Sequence, residues 1–194
     1  MQNRMIRGSA HAKPRASGNE RFALLIFLGS YALIFVTLAI VVVNLHNLSL
    51  EWPPAGVTPL ALWKGLLVTF FLLASSLTLH FALRAAQLAQ WPRFNRLMGL
   101  TLALGLLFLI GQTYQFATAG MTIQSGVYGA VFFTMAGFHA LHIVVGLILL
   151  TRLFERMQGA SVSAEPMPAT PTAAIVWHFL DLMWLPFFIV LYLL

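Results

Sequence analysis

Five long apolar stretches constrain this chain more than any other feature of its sequence. They cover residues 22–43, 59–83, 97–117, 127–150 and 173–194. A helix needs about 20 apolar residues to cross the hydrocarbon core of a bilayer. Each stretch must be a helix, because an isolated strand would leave its backbone N–H and C=O groups unpaired in lipid. The sequence therefore predicts an all-α fold, a polytopic membrane bundle of five transmembrane helices.

The composition leaves no room for a sizeable soluble domain. Of the 194 residues, 60% are hydrophobic and only 8% are charged, whereas an ordinary soluble domain carries about 25% charged residues. We therefore divide the chain into a basic tail, 1–21, and a transmembrane domain, 22–194. The chain has no cysteine, which excludes disulfides and thiolate metal sites. The basic residues lie at the ends of the stretches without interleaved aromatics, so no nucleic-acid partner is expected.

The basic side chains are distributed unequally between the two sides that five crossings create. Five lie in the tail, three lie between the second and third stretches, and two follow the fourth, which makes ten on one side. The other side has Lys64 alone. Because lysine and arginine are enriched in cytoplasmic loops, the sequence predicts a cytoplasmic amino terminus, a first helix that is not cleaved, and a carboxyl terminus outside.

Aromatic side chains near the ends of the stretches agree with this arrangement. Trp and Tyr rings prefer the level of the lipid headgroups. Trp52, Trp63 and Tyr192 lie near the outer boundary, whereas Trp91 and Trp177 lie near the inner one. We therefore expect these side chains to stand at the membrane interface.

Ionisable side chains interrupt the last two stretches. His139 and His142 lie in the fourth, and His178 and Asp181 lie in the fifth. An ionisable group at the centre of a membrane helix costs about 2.5–3.5 kcal/mol. A rise of about 1.5 Å per residue in antiparallel helices places His139 level with Asp181, and His142 level with His178. The sequence predicts a buried polar cluster between these helices, in which Asp181 bonds to a histidine or to water.

Three roles stay open for this cluster: a structural one, a proton-relay or water-organising one, and ligation of haem or copper. Two histidines at one depth on facing helices can ligate a haem axially. The bulky neighbours Phe138 and Phe179 leave little room for a macrocycle, and a carboxylate accompanies the histidines. We favour the structural role, and we expect no catalytic, metal-binding or cofactor-binding residue in this chain.

Several motifs, taken in order along all five stretches, resemble subunit III of the haem-copper terminal oxidases. The resemblance to this family extends over about residues 21–194, and the chain is similar to the short bacterial form of the subunit, which has five helices. The motifs are Trp52-Pro53-Pro54-Ala55-Gly56, Ser75-Ser76, Gly111-Gln112-Thr113-Tyr114, Gly126-Val127-Tyr128-Gly129, Phe133 with Gly137-Phe138-His139-Ala140-Leu141-His142, and Trp177-His178-Phe179-Leu180-Asp181-Leu182-Met183-Trp184.

The resemblance implies a non-catalytic accessory subunit of a respiratory oxidase in a bacterial inner membrane. Its partners would be the catalytic subunit I, which carries the haem and copper, and subunit II. The chain itself would hold no redox centre, and it would bind phospholipid. It would stabilise subunit I during turnover and support proton uptake in a complex that reduces oxygen and pumps protons.

Two positions depart from the pattern of the family. Tyr31 follows Ser30 where the family usually has a buried glutamate, and Gln115 occupies a second position where a glutamate is usual. Both changes remove an ionisable group, which leaves room for a subunit III-like partner of a nitric oxide reductase or a quinol oxidase. An independent haem-binding membrane cytochrome and a small transporter are alternatives of other classes.

Overall fold

A computed structural model describes residues 18–50, 60–160 and 171–193. Within these ranges the chain forms five helices and no strand. Each helix is long and apolar enough to cross a membrane, which confirms the predicted all-α class and the five spans. Most of the basic tail, the Trp-Pro-Pro turn and residues 161–170 lie outside the described residues. The helices are α1 (Gly18–Leu48), α2 (Leu62–Gln87), α3 (Trp91–Thr118), α4 (Gly126–Ala160) and α5 (Thr172–Tyr192).

The connection between α2 and α3 is much shorter than the composition suggests. Charged residues over 84–96 led us to expect a loop, but α2 continues to Gln87 and α3 begins at Trp91. Only Leu88–Gln90 connect them, with Ala89 in the left-handed region at φ 54°. Pro92 lies in the first turn of α3, where a proline is tolerated because the missing N–H would have no intrahelical acceptor.

Helix α4 extends ten residues beyond the end of its apolar stretch and reaches Ala160. Arg152, Glu155 and Arg156 are exposed on this extension. The loss of hydropathy after Leu150 therefore marks the membrane boundary and not the end of the helix. Charged side chains with long aliphatic stems are compatible with a helix that continues into the headgroup region.

Helices α2 to α5 form a closed ring in which each helix contacts two neighbours. The contacting pairs are α2 with α3, α3 with α4, α4 with α5, and α5 with α2. Helix α1 lies outside the ring and contacts α4 and α5. We call the end where α2 and α4 begin the outer end of the bundle, following the orientation predicted from the charges.

Two tryptophans on α5 connect the ring across its centre. Trp177 and Trp184 are seven residues apart, which places them two turns apart on one face, and both are fully buried. Trp177 Nε1 donates to Ser75 Oγ at 3.1 Å, and Trp184 Nε1 donates to Thr69 Oγ1 at 2.8 Å. A buried indole N–H needs such an acceptor. These bonds hold α5 against α2 in antiparallel register.

The expectation that Trp177 stands at the membrane interface is wrong. Its ring lies against Gly105 of α3 and Gly146 of α4, where an added Cβ would come within 2.8 Å and 2.9 Å of ring carbons. Glycines on two neighbouring helices provide the space that the indole occupies. Trp63, in contrast, is 64% exposed, as an interface residue should be.

Gly105→Ala should destabilise the protein by about 1 kcal/mol, because the added methyl group overpacks a site beside a rigid indole ring. The full chain in mild detergent is heated, and the fraction that stays monodisperse is measured by size exclusion. Gly99→Ala on the same helix is the matched control, since nothing lies within 4 Å of its added Cβ. Equal thermal stability of the two variants would contradict this packing.

Candidate functional site: the buried polar side chains

The imidazole of His139 is fully buried among aromatic rings. Its ring centroid lies 5.0 Å from that of Trp184, 5.8 Å from that of Phe108 and 5.9 Å from that of Phe187. Neither ring nitrogen has a hydrogen-bond partner in the described part of the chain. A buried polar group without a partner carries a desolvation cost of about 1–3 kcal/mol. His139 is therefore an energetically costly residue in the middle of the bundle.

His142 faces α1, not α5. Its Nδ1 lies 2.6 Å from the backbone oxygen of Phe138, one turn earlier in α4. Its ring packs edge-to-face on Tyr31, with centroids 4.5 Å apart, and lies 6.1 Å from Phe35. The hydroxyl of Tyr31 is buried and has no partner among the described residues. Tyr31 thus contacts His142 through its ring.

His178 and Asp181 both face α2. His178 Nδ1 forms a hydrogen bond with Ser76 Oγ. Asp181 is buried beside the same hydroxyl, although neither of its carboxyl oxygens has a well-aligned hydrogen bond within the described ranges. Ser76 lies next to both of these side chains. It belongs to the motif Ser75-Ser76, which supplies two hydroxyl groups on α2, the helix that His178 and Asp181 face.

Among the described residues, no hydrogen bond joins any two of His139, His142, His178 and Asp181. Bonding of Asp181 through water stays a prediction, but the direct hydrogen bonds expected between α4 and α5 are not formed among the described residues. The reason is angular: residues three apart in a helix differ by about 60° around its axis. In a five-helix bundle that angle is enough to turn His139 towards the ring centre and His142 towards α1.

Two glutamines of α3 belong to the buried polar set, although neither was predicted as a member of the polar cluster. Gln112 is 1% exposed, and neither its oxygen nor its nitrogen has a partner in the part of the chain that the structure describes. Gln115 Oε1 accepts a hydrogen bond from the Tyr192 hydroxyl at 2.5 Å. The signal that could have identified Gln112 is its polar amide within the apolar stretch 97–117, since polar residues inside membrane helices are rare.

Within the described ranges, no three histidine or acidic side chains lie close enough together to hold a metal ion. His142 and His178 each use one ring nitrogen in a hydrogen bond to the protein. The arrangement can order water, hold a proton on Asp181 or a histidine, and bind helices together. The role of the four residues stays a prediction.

Comparison with known proteins identifies the same family over nearly the whole chain. Residues 4–194 match the family model of cytochrome c oxidase subunit III. Cytochrome c oxidase subunit 3 of Thermostichus vulcanus is 31% identical over 191 residues, which cover 96% of this chain and 94% of that protein. The probable cytochrome c oxidase subunit 3 of Mycobacterium leprae is 35% identical over 176 residues, which cover 87% and 81%.

Proposed function

Because the chain belongs to the cytochrome c oxidase subunit III family, and is thus an accessory oxidase subunit, we propose that it stabilises subunit I and supports proton uptake. In this proposal subunit I carries the haem and copper, subunit II completes the complex, and this chain holds no redox centre. The complex lies in a bacterial inner membrane. The relatives above are cytochrome c oxidase subunits, which supports a partner that reduces oxygen over one that reduces nitric oxide.

The observation that carries this proposal is the extent of the family match, residues 4–194. The geometry supports a stabilising role. Helix α5 contacts α2 through two buried indole N–H bonds, and large indole and phenyl rings fill the centre of the ring of helices. A bundle built in this way presents a stiff apolar surface to a neighbouring membrane subunit.

Support of proton uptake would depend on the inner half of α5. His178 lies six residues from the first residue of α5, which is about 9 Å along the axis. Its partner Ser76 also lies beside Asp181. Tyr31 and Gln115 replace the carboxylates usual in the family, which leaves His139, His142, His178 and Asp181 as the predicted ionisable cluster. Of these, His178 and Asp181, with Ser76 between them, would hold and pass a proton near the inner surface.

Removal of the chain from the oxidase tests the stabilising role. We expect the complex without it to begin turnover at a comparable rate and then to lose activity within far fewer turnovers than the intact complex. Oxygen consumption is followed to completion, and addition of the purified chain should restore the lifetime. An oxidase that sustains full turnover without this subunit would contradict the proposed role.

A further inference from the structure

Lys64 is the one basic residue that the sequence predicts on the outer side, and its ammonium group is held by the neighbouring helix. It lies in the first turn of α2, and its Nζ donates at 3.2 Å to the Oγ1 of Thr118, the last residue of α3. The ammonium group also lies 5.3 Å from the centroid of the Tyr114 ring and 5.9 Å from that of Trp63. Lys64 therefore has a defined position and does not extend freely from the surface.

Among the described residues, no acidic side chain forms an ion pair with this lysine. Helices α2 to α5 contain two acidic residues, Glu155 near the inner end of α4 and Asp181 within α5. Gly65 of α2 faces Tyr192, which is eleven residues from Asp181, or about 16 Å along α5. The charge of Lys64 thus has no counter-ion in these helices.

The start of α2 also carries partial positive charge. Its N-cap residue, Ala61, makes no side-chain cap, and its first turn holds no acidic residue. The first N–H groups of a helix have no acceptor within the helix, and an anion beside them is stabilising. Lys64 adds a full positive charge at the same place, so this end of α2 favours an anionic partner.

A cavity of about 200 Å³ lies at this end of α2, beside the end of α3. Its lining includes Ala61, Lys64, Gln115 and Thr118. Gln115 is 4% exposed, its Oε1 accepts from the Tyr192 hydroxyl, and its Nε2 has no partner within the described ranges. A buried amide that lines a cavity with unused N–H donors indicates a ligand that brings acceptor atoms.

The unused side-chain groups of this cavity are donors, and they match the two oxygens of a carboxylate. An ammonium has three N–H bonds and an amide nitrogen has two, and the structure uses one of the former and none of the latter. Thr118 donates its own hydroxyl hydrogen to the backbone oxygen of Tyr114 at 2.8 Å. A carboxylate carries one negative charge and accepts through both oxygens, so one oxygen would bond to Lys64 and the other to Gln115.

The aromatic residues beside the cavity are typical of a protein interface. Trp63 and Tyr114, the two rings next to the ammonium, are both more than half exposed. Tryptophan and tyrosine are enriched in protein interfaces, where they surround the strongest contacts and exclude water from them. Once a partner covers these rings, the loss of water strengthens an ion pair at Lys64.

We propose that this cavity is a docking site for an acidic side chain on the outer side of a neighbouring oxidase subunit, with Lys64 and Gln115 binding the carboxylate. This inference rests on the accessory role proposed above, because it needs a neighbouring subunit. It adds to that role a defined point of contact and the chemistry of the partner. Loss of the contact should weaken attachment of this chain without altering its fold.

The native complex in mild detergent is treated with a water-soluble carbodiimide. The reagent activates a carboxylate and leaves with one of its oxygens as a urea, while an amide bond forms between the carboxyl carbon and a lysine Nζ in direct contact. Lysine occurs at only two positions of the chain, Lys13 and Lys64, so mass spectrometry of the linked peptides identifies the lysine involved. We expect Lys64 to be linked to an aspartate or a glutamate of another subunit.

Lys64→Gln should weaken attachment of this chain about tenfold or more, because a charge-assisted hydrogen bond is lost. The measurement is the fraction of oxidase that keeps this chain through a wash of rising ionic strength. Lys64→Arg keeps the charge, so it should be retained like the unmodified chain although it forms no link. Arg96→Gln is the matched control, because it removes an equal charge from an exposed position near the inner end of α3.

An exchange of the two charges separates direct contact from a structural effect. Lys64→Glu should detach the chain, because two carboxylates would then face each other. Replacement of the linked acidic residue of the partner by lysine should restore attachment of this variant. A structural defect at Lys64 would not be repaired by a change in another subunit.

A complex that contains this chain but shows no link at Lys64, or a link only to a carboxylate of this same chain, would overturn the docking site and leave the accessory role intact. Equal retention of Lys64→Gln and Arg96→Gln would overturn it as well. A phospholipid that the unmodified chain keeps and Lys64→Gln loses, with no link to a partner, would assign the cavity to lipid instead. Purification of this chain without any larger subunit would remove the accessory role, and the docking site with it.

Discussion

Trp177→Ala should destabilise the protein by about 3–5 kcal/mol, the usual cost of removing a large aromatic side chain from a packed core. The loss is expected to be large because the indole contacts three helices. It fills the space at Gly105 of α3 and Gly146 of α4, and its N–H donates to Ser75 of α2. The two glycines have no side chains that could fill the cavity left by the substitution.

The measurement is the thermal stability of the full chain in mild detergent, followed by size exclusion after heating. Trp177→Phe should lie between Trp177→Ala and the unmodified chain, because it keeps part of the ring and loses the hydrogen bond. Trp63→Ala is the control, since Trp63 is mostly exposed. A Trp177→Ala variant as stable as Trp63→Ala would show that the indole does not hold the bundle together.

His139→Leu should stabilise the protein by about 1–3 kcal/mol, because it removes a buried polar group that has no partner in the described chain. Leucine is apolar, and the surrounding rings of Phe108, Trp184 and Phe187 are apolar as well. Replacement of an unpaired buried polar group by an apolar one of similar size is neutral or favourable. A stabilising result would mean that the histidine is retained for a role other than packing.

His178→Leu is the matched comparison, because His178 has a hydrogen bond with Ser76. Loss of one hydrogen bond from the bundle should lower the stability by about 1 kcal/mol. The two histidine variants should therefore shift thermal stability in opposite directions in the same assay. Destabilisation by His139→Leu would instead indicate an ordered water, or another partner, on the imidazole.

The number and approximate positions of the helices could be predicted from sequence because the membrane requires about 20 apolar residues per span. The helix ends could not be predicted in this way. Helix α3 begins at Trp91, before charged residues that the composition assigns to a loop, and α4 continues through Arg152 and Arg156. Hydropathy indicates where the hydrocarbon region of the membrane ends. It does not determine where the backbone hydrogen bonds of a helix end.

The sequence proposed candidate residues but could not provide their partners. His139 and Asp181 are both buried, and their role stays a prediction. The depth of a residue along a helix does not determine the direction in which its side chain points around the helix axis. That direction places His142 against Tyr31 and His178 against Ser76. Trp177 was misplaced for a related reason, because the glycines that accommodate it lie on two other helices.

The native complex is isolated in mild detergent, its chains are identified and its visible spectrum is recorded. We expect this chain to co-purify with a larger subunit that carries haem and copper, and we expect the chain separated from that subunit to show no Soret band. A Soret band from the separated chain, or its purification without any haem-copper subunit, would show that it is not an accessory oxidase subunit.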